Sequence, residues 1–209
     1  MKIAVVASNG KASQAIIAEL IARGHTVTGF ARSENKSAVQ NIVQKDIMAL
    51  TKEDLAGFDA VVDGFGAFTP ETLPLHTQTS QHLADLVAGT NTRLYIVGGA
   101  GSLYVDPSHK VQLLDTPEFP AAFYALAEAQ TEELAALRSR TDAQWVFVSP
   151  AADFRADGEK TGKYILGGEE LTLSAAGESV ISYADYAVGM VDLIESGAHI
   201  GERVSLVQA

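Results

Sequence analysis

Lys2–Ala7 (KIAVVA), Phe58–Asp63 (FDAVVD), Arg93–Val97 (RLYIV) and Gln144–Ser149 (QWVFVS) are short runs that are apolar at nearly every position rather than at every second one. A strand of that kind has no face to give to water, so it belongs in a parallel sheet covered on both sides. The stretches between the runs supply the cover. Lys11–Arg23 places Ala15, Ile16, Leu20 and Ile21 on one helical face and stops at Gly24, while Leu75–Ala88 and Pro117–Arg140 repeat the helical period. His25–Phe30 and the segment Ala38–Gln44 add strands, and the expected class is α/β with a doubly wound parallel sheet. After Pro150 the rhythm changes. Lys160–Leu173 predicts two small strands in a loop-rich lobe, Ser182–Glu195 an amphipathic helix with Tyr186, Val188, Met190, Val191 and Ile194 inward, and Arg203–Val207 a last strand. Without an internal repeat or linker, residues 1–209 read as one domain whose small C-terminal cap comes from segments at about 151–185.

The chain has no cysteine, which excludes thiolate metal sites, redox dithiols and a cysteine nucleophile. Twenty-six acidic against fifteen basic residues give a net charge of −11, a field that repels phosphate backbones and anionic lipid. Nucleic-acid and membrane partners are therefore not expected, and an anionic ligand would have to be held by local groups. Met1–Ala7 enters a strand directly, without the pattern of a signal peptide, and no apolar run approaches the ~18 residues of a membrane span. A cytoplasmic location is expected, and a homodimer is left open. The histidines are scattered, His76 and His82 lack helical metal-pair spacing, and no metal is expected.

In such a sheet, ligands gather at the carboxyl ends of the strands. The first strand-to-helix turn reads Ala7-Ser8-Asn9-Gly10-Lys11-Ala12-Ser13. Gly10 lets backbone approach a pyrophosphate, whose charge favours the positive end of the following helix. Ser8, Asn9 and Ser13 add donors, and Lys11 adds a nearby cation.

These residues, with Val61–Phe68 (VVDGFGAF), Val97–Leu103 (VGGAGSL), Leu114–Pro120 (LDTPEFP), Phe147–Phe154 (FVSPAADF), Thr161–Tyr164 (TGKY) and Ile181–Ala187 (ISYADYA), carry a resemblance over nearly the whole chain. It resembles the NADH-flavin reductase group of atypical short-chain dehydrogenase/reductases, related to NmrA-like proteins. The resemblance implies a Rossmann-type fold that binds NAD(P), with the cap shaping a substrate pocket. The family turn has three glycines, and here Ala7 and Ser13 replace the first and third. Alanine is tolerable at position 7 if its backbone torsion is negative, whereas Ser13 is expected to push the helix slightly off the strand.

Sites that prefer NAD carry an acid about 20 residues after the glycine turn. At that distance stands Arg32, followed by Ser33, suited to a bidentate grip on a 2′-phosphate, so NADP(H) is expected over NAD(H). Asp46-Ile47 follows the third strand, where relatives contact adenine, although Asp46 equally suits a helix cap. Gly64-Phe65-Gly66 follows the fourth strand, with Phe65 a candidate for the adenosine side. Asp63 before it is an unusual charge at a strand end, expected to be hydrogen-bonded rather than catalytic.

Gly98-Gly99-Ala100-Gly101-Ser102 follows the fifth strand, where the nicotinamide end should lie, and the resemblance places Ser149-Pro150-Ala151 beside the same ring. Ser102 resembles the serine that short-chain dehydrogenases pair with a helix tyrosine, and on that resemblance Ser102 and Tyr124 are the catalytic candidates. The usual partner of the tyrosine, a lysine four residues on, is here Glu128, and a carboxylate raises a tyrosine pKa. Alcohol–ketone chemistry is thereby disfavoured. Hydride transfer to a flavin, quinone or similar planar acceptor remains, because solvent can supply the proton. Tyr104, Phe123, Tyr124, Phe154 and Tyr164 are candidate pocket walls, and Lys163 with Tyr164 could meet a flavin phosphate or quinone oxygen. Tyr183 and Asp185 are expected to anchor the cap. The alternative is an NmrA-like regulator that binds NADP(H) and senses its redox state without turnover.

Overall fold

The computed structural model describes residues 1–209. An eight-stranded sheet is built from β1 (Lys2–Val6), β2 (Thr26–Ala31), β3 (Asn41–Gln44), β4 (Ala60–Asp63), β5 (Arg93–Val97), β6 (Gln144–Pro150), β8 (Tyr164–Gly167) and β10 (Glu202–Gln208), in the order β3-β2-β1-β4-β5-β6-β10-β8. Every pairing in it is parallel except β10 with β8. The order reverses at β1, which lies between β2 and β4, and in open sheets of this kind ligands bind in the crevice outside the carboxyl ends of the strands at such a switch point. The chain therefore has a Rossmann-like α/β fold.

Helices α1 (Lys11–Ala22) and α5 (Tyr183–Ser196) cover one face; α3 (Leu75–Val87) and α4 (Tyr124–Arg138) cover the other, joined near one edge by the short α2 (Lys52–Leu55). Alternation along β6 shows why its run is apolar throughout. Val146 and Val148 enter the core under α1 and α5, whereas Trp145 and Phe147 enter the core under α3 and α4. Helix α5 starts where the Ser182 hydroxyl accepts the Asp185 N–H at 3.0 Å, and it ends at Gly197 in the left-handed conformation, φ 64°. No helix is long and apolar enough to cross a membrane.

The segment after Pro150 differs from its sequence reading. Lys160–Leu173 holds one strand, β8, and it pairs with β10 as an edge of the main sheet rather than lying in a separate lobe. The remaining short strands, β7 (Asp153–Arg155) and β9 (Val180–Ser182), form their own parallel pair. The glycines at 167 and 168 interrupt the alternation that a longer strand needs, and this is why the second strand is missing.

Candidate functional site

At its carboxyl end, β1 runs into a turn closed by a hydrogen bond from Gly10 N–H to Ala7 O at 3.0 Å. Ala7 has φ 54°, so the negative torsion that would make alanine harmless is not realised. Gly10, by contrast, is extended at φ −65°. The left-handed position thus carries the alanine, and the retained glycine serves close approach. Ala7→Gly is expected to raise stability by about 0.5–1 kcal/mol, the left-handed penalty of alanine less the added chain entropy of glycine. Thermal unfolding reads this directly.

Ser13 does not push α1 away. Its buried hydroxyl occupies the space that a Cβ on Gly64 would fill, so the glycine at the end of β4 replaces the one missing from the helix. Gly64→Ala is expected to cost about 1–3 kcal/mol, and Ser13→Gly in the same chain to recover most of it, as measured by a double-mutant cycle. The first turn of α1 contains no acidic residue and no side-chain cap, which leaves its N–H groups for an anion. This donor set fits the diphosphate of a dinucleotide.

Asn9 ties that turn to the loop after β2. Its amide donates to Glu34 O at 2.8 Å and to the Ser33 hydroxyl at 3.2 Å, and its carbonyl accepts the Lys36 N–H at 2.7 Å. Arg32 lies beside this junction with its side chain 78% exposed and its Nε 3.9 Å from Asp46. Asp46 accepts the Met48 N–H at 2.9 Å and so caps the short 3₁₀ turn Ile47–Ala49, in which Ile47 is buried. Lys11 is exposed and Ala12 half-buried on α1, and Phe65 is half-buried beside exposed Gly66. Ser8, whose N–H donates to Phe30 O, is fully buried.

In the loop after β5, Gly98 donates to Val148 O at 2.9 Å, joining that loop to β6, where Ser149 and Pro150 are buried and Ala151 follows. The Ser102 carbonyl accepts from Arg203 at 3.2 Å. Tyr124 opens α4 and is 42% exposed; Glu128, four positions on, is exposed as well. The candidate aromatic residues take different neighbours. Phe154 packs on Tyr183 and Tyr186 at ring-centroid distances of 4.1 and 4.8 Å, and the Tyr164 hydroxyl donates to Asp192 of α5 at 2.7 Å. Burial and then Asp192 push the Tyr164 phenol up to about 12, so it is no acid at neutral pH. Tyr104 stacks on His109 at 4.5 Å, Lys163 is exposed, and Phe123 stays exposed at the start of α4. Phe154 and Tyr164 pack against the core beneath α1 and α5. Asp185 does anchor the segment after Pro150, accepting from Thr161 N–H, Thr161 Oγ1 and Gly162 N–H at 2.9, 2.7 and 2.7 Å.

Sequence reasoning missed Gln130 and Glu133 near these loops, and it did not bring Asp63 and His76 together. The Gln130 amide of α4 lies over Gly99, in the space of an absent Cβ. Asp63, His76 and Glu133, at 1%, 2% and 2% exposure, meet where β4, α3 and α4 converge. Asp63 accepts the Phe65 N–H at 3.0 Å, as expected for a hydrogen-bonded group, and burial pushes its carboxyl up to about 6. Burial also drives Glu133 well above the carboxylate range, with the charge of Asp63 adding to the effect. The signal for Glu133 was present: it precedes Leu134 and stands four positions before Leu137, on the buried stripe of α4.

The family described as NAD(P)H-binding matches residues 8–196. An uncharacterized Bacillus subtilis protein, YwnB, is 41% identical over 210 residues, covering 99% of this chain and 98% of its own. A solved structure from Streptococcus pneumoniae, named as a candidate NADH-flavin reductase, shares 56% identity with a TM-score of 0.98 over 100% of both chains. Another, named as a candidate epimerase from Bacteroides thetaiotaomicron, shares 32% identity with a TM-score of 0.87, covering 99% of this chain and 96% of that one.

Proposed function

This chain belongs to the NAD(P)H-binding family, and from that premise we propose that it is an NAD(P)H-dependent reductase of a flavin, quinone or similar planar acceptor. The observation that carries the reading is the contrast between the two ends of the crevice. One end offers an uncapped helix turn and a side-chain-tied loop for a dinucleotide. The other offers a glycine-rich loop, with no lysine four positions after Tyr124 to make it an acid. The bound nicotinamide supplies the hydride. The protein's own part is to hold the diphosphate at Gly10, Lys11 and Ala12, to fix the loop Gly98–Ser102, and to leave the acceptor's proton to solvent. The candidate NADH-flavin reductase of S. pneumoniae, similar over its full length, supports the same class.

The test is anaerobic oxidation of NADPH and NADH in the presence of FMN, FAD or a soluble quinone. Reduction well above the uncatalysed rate is expected, and no acceleration with any acceptor would remove the proposal. The redox-sensing alternative demands a different result: no turnover, with affinities that separate NADPH from NADP+.

We further propose that NADP(H) is preferred through Arg32 and Ser33. Arg32 is exposed, so solvent screening puts its contribution near the low end of a charged hydrogen bond. Arg32→Ala should weaken NADPH by about 1–2 kcal/mol and leave NADH nearly unchanged. Trp145 is buried at the amino-terminal end of β6, away from the crevice, so the fluorescence of the reduced nicotinamide is the better reporter. Equal losses for both cofactors would show that Arg32 does not grip the extra phosphate. A location in the cytoplasm and a single functional unit over residues 1–209 complete the proposal.

A further inference from the structure

Asp63, His76 and Glu133 come from three separate elements and close on one another with almost no exposure. No lysine or arginine lies within 4.0 Å of either carboxyl group. The flanking strands place Val6 and Ile96 beside Asp63, and the charge that acts on Glu133 is that of Asp63, while the Ser80 hydroxyl of α3 donates to Thr77 O at 3.3 Å. One oxygen of each carboxyl, Asp63 Oδ2 and Glu133 Oε2, is buried without a hydrogen-bond partner. Unpartnered buried oxygens are costly, and natural proteins keep few of them.

The third member connects this pocket to the crevice. His76 Nδ1 faces Glu133 Oε2 at 3.8 Å, and its Nε2 lies 3.3 Å from Ala67 N and 3.2 Å from Ala67 O. Its ring meets Phe65 edge-on, with centroids 5.3 Å apart. Asp63 holds the Phe65 N–H. Asp63 and His76 thus touch the backbone or ring of Phe65 and Ala67, the segment that follows Gly64 at the switch point, and Glu133 reaches that segment only through His76.

Nε2 cannot serve both backbone groups of Ala67 at once. A protonated Nε2 donates to the carbonyl; an unprotonated one accepts the N–H. The choice is set at the other nitrogen. A Glu133 carboxylic acid donates to Nδ1 and leaves the proton on Nε2, whereas a carboxylate draws the proton to Nδ1. At 3.8 Å the contact is longer than a hydrogen bond, so the two side chains must draw together by roughly 0.6 Å to exchange a proton.

We propose that Asp63, His76 and Glu133 form a positioning unit for the cofactor crevice, in which a proton held by Glu133 selects the tautomer of His76 and thereby the Ala67 group that anchors the Phe65–Ala67 wall. The unit stands on the crevice being the nucleotide site, as proposed above. The directions of titration agree with it: burial holds the imidazole neutral, below its ordinary range, and keeps Glu133 protonated while Asp63 carries the single charge.

The test combines nitrogen-15 NMR of the His76 ring with NADPH affinity, on the full chain, from about pH 6 to about pH 9.5. In the wild type, the proton is expected on Nε2 at neutral pH and shifts toward Nδ1 as pH rises, while affinity falls by up to about tenfold per pH unit beyond that transition. In Glu133→Gln the amide donates to Nδ1 at every pH, so both the tautomer and the ratio of affinities across the range should stay constant, whatever the absolute affinity. A wild-type ring that carries its proton on Nδ1 at neutral pH, or that keeps one tautomer throughout, overturns the proposal even if the variant fails to fold. Identical pH courses in wild type and Glu133→Gln overturn it too. A wild type that binds neither NADPH nor NADH would instead refute the cofactor site, a result the NMR arm reads separately.

Discussion

Replacing Glu169 with alanine is expected to destabilise the protein by about 3 kcal/mol, because it leaves the buried charge of Arg203 without its carboxylate. The Arg203 side chain on β10 has no exposure. Its Nε donates to Glu169 Oε2 at 3.1 Å, and its Nη2 to Ser102 O at 3.2 Å and Glu169 O at 3.0 Å, while Nη1 is buried without a partner. Arg138 of α4 shares the same carboxylate at 2.7 and 2.6 Å. Burial alone would raise the Glu169 carboxyl, but the hydrogen bonds from Arg203 and Arg138 outweigh it and hold the group below its usual range. A depressed folded-state value contributes stability that is full above the unfolded value and fades as pH falls through the folded one. The gap between wild type and Glu169→Ala should therefore narrow in acid. Arg203→Met combined with Glu169→Ala should recover much of the loss, since an apolar side chain of similar length needs no counter-charge. Chemical denaturation of the single and double variants decides it; a double variant no more stable than Glu169→Ala would assign the loss to packing. Because Arg203 also holds the Ser102 carbonyl, the single variant should loosen the loop after β5 as well.

The sheet was legible because its strands are apolar on both faces, a pattern that few other arrangements tolerate. Where the pattern weakens, so does the reading. Ala38–Gln44 shortens to Asn41–Gln44, and Pro117–Arg140 yields α4 only from Tyr124, since Pro117 and Pro120 keep the preceding chain out of the helix. The first turn was legible from residue types, but not its compensation. Gly64 lies far from Ser13 in sequence, and only the parallel pairing of β1 with β4 brings them together. Arg203 and Glu133 are charges at buried positions of β10 and α4 that the sequence reading did not single out, and nothing in the sequence says which distant groups meet them. The neighbours of the candidate aromatic residues were hidden for the opposite reason. An aromatic residue near a glycine loop can turn to either face of a sheet, and the choice depends on which helix packs beneath it.

Asp63→Asn is expected to stabilise the protein at neutral and alkaline pH, by on the order of 2–3 kcal/mol, at a position where most substitutions of a buried polar residue would do harm. The ordinary aspartate value is 3.8, and burial raises it to about 6 in the folded chain, opposed only by the Phe65 N–H. A raised folded-state value means that the stability it reports is complete below the unfolded value and is lost as pH climbs through the folded one. By pH 7 the ionised Asp63 therefore bears the full desolvation cost, with no cation near enough to offset it. Asparagine keeps an oxygen to accept the Phe65 N–H and has no charge to desolvate. Its advantage should be absent at about pH 3, grow through the interval between 3.8 and about 6, and level off above it. Stability curves of both proteins across that interval test the sign and the window together. An asparagine variant that is less stable at every pH would show that the carboxylate is satisfied by a contact other than Phe65. If the variant is more stable but its His76 tautomer or cofactor affinity no longer follows pH as in the wild type, the chain retains a destabilising charge at the end of β4 because the crevice wall uses it.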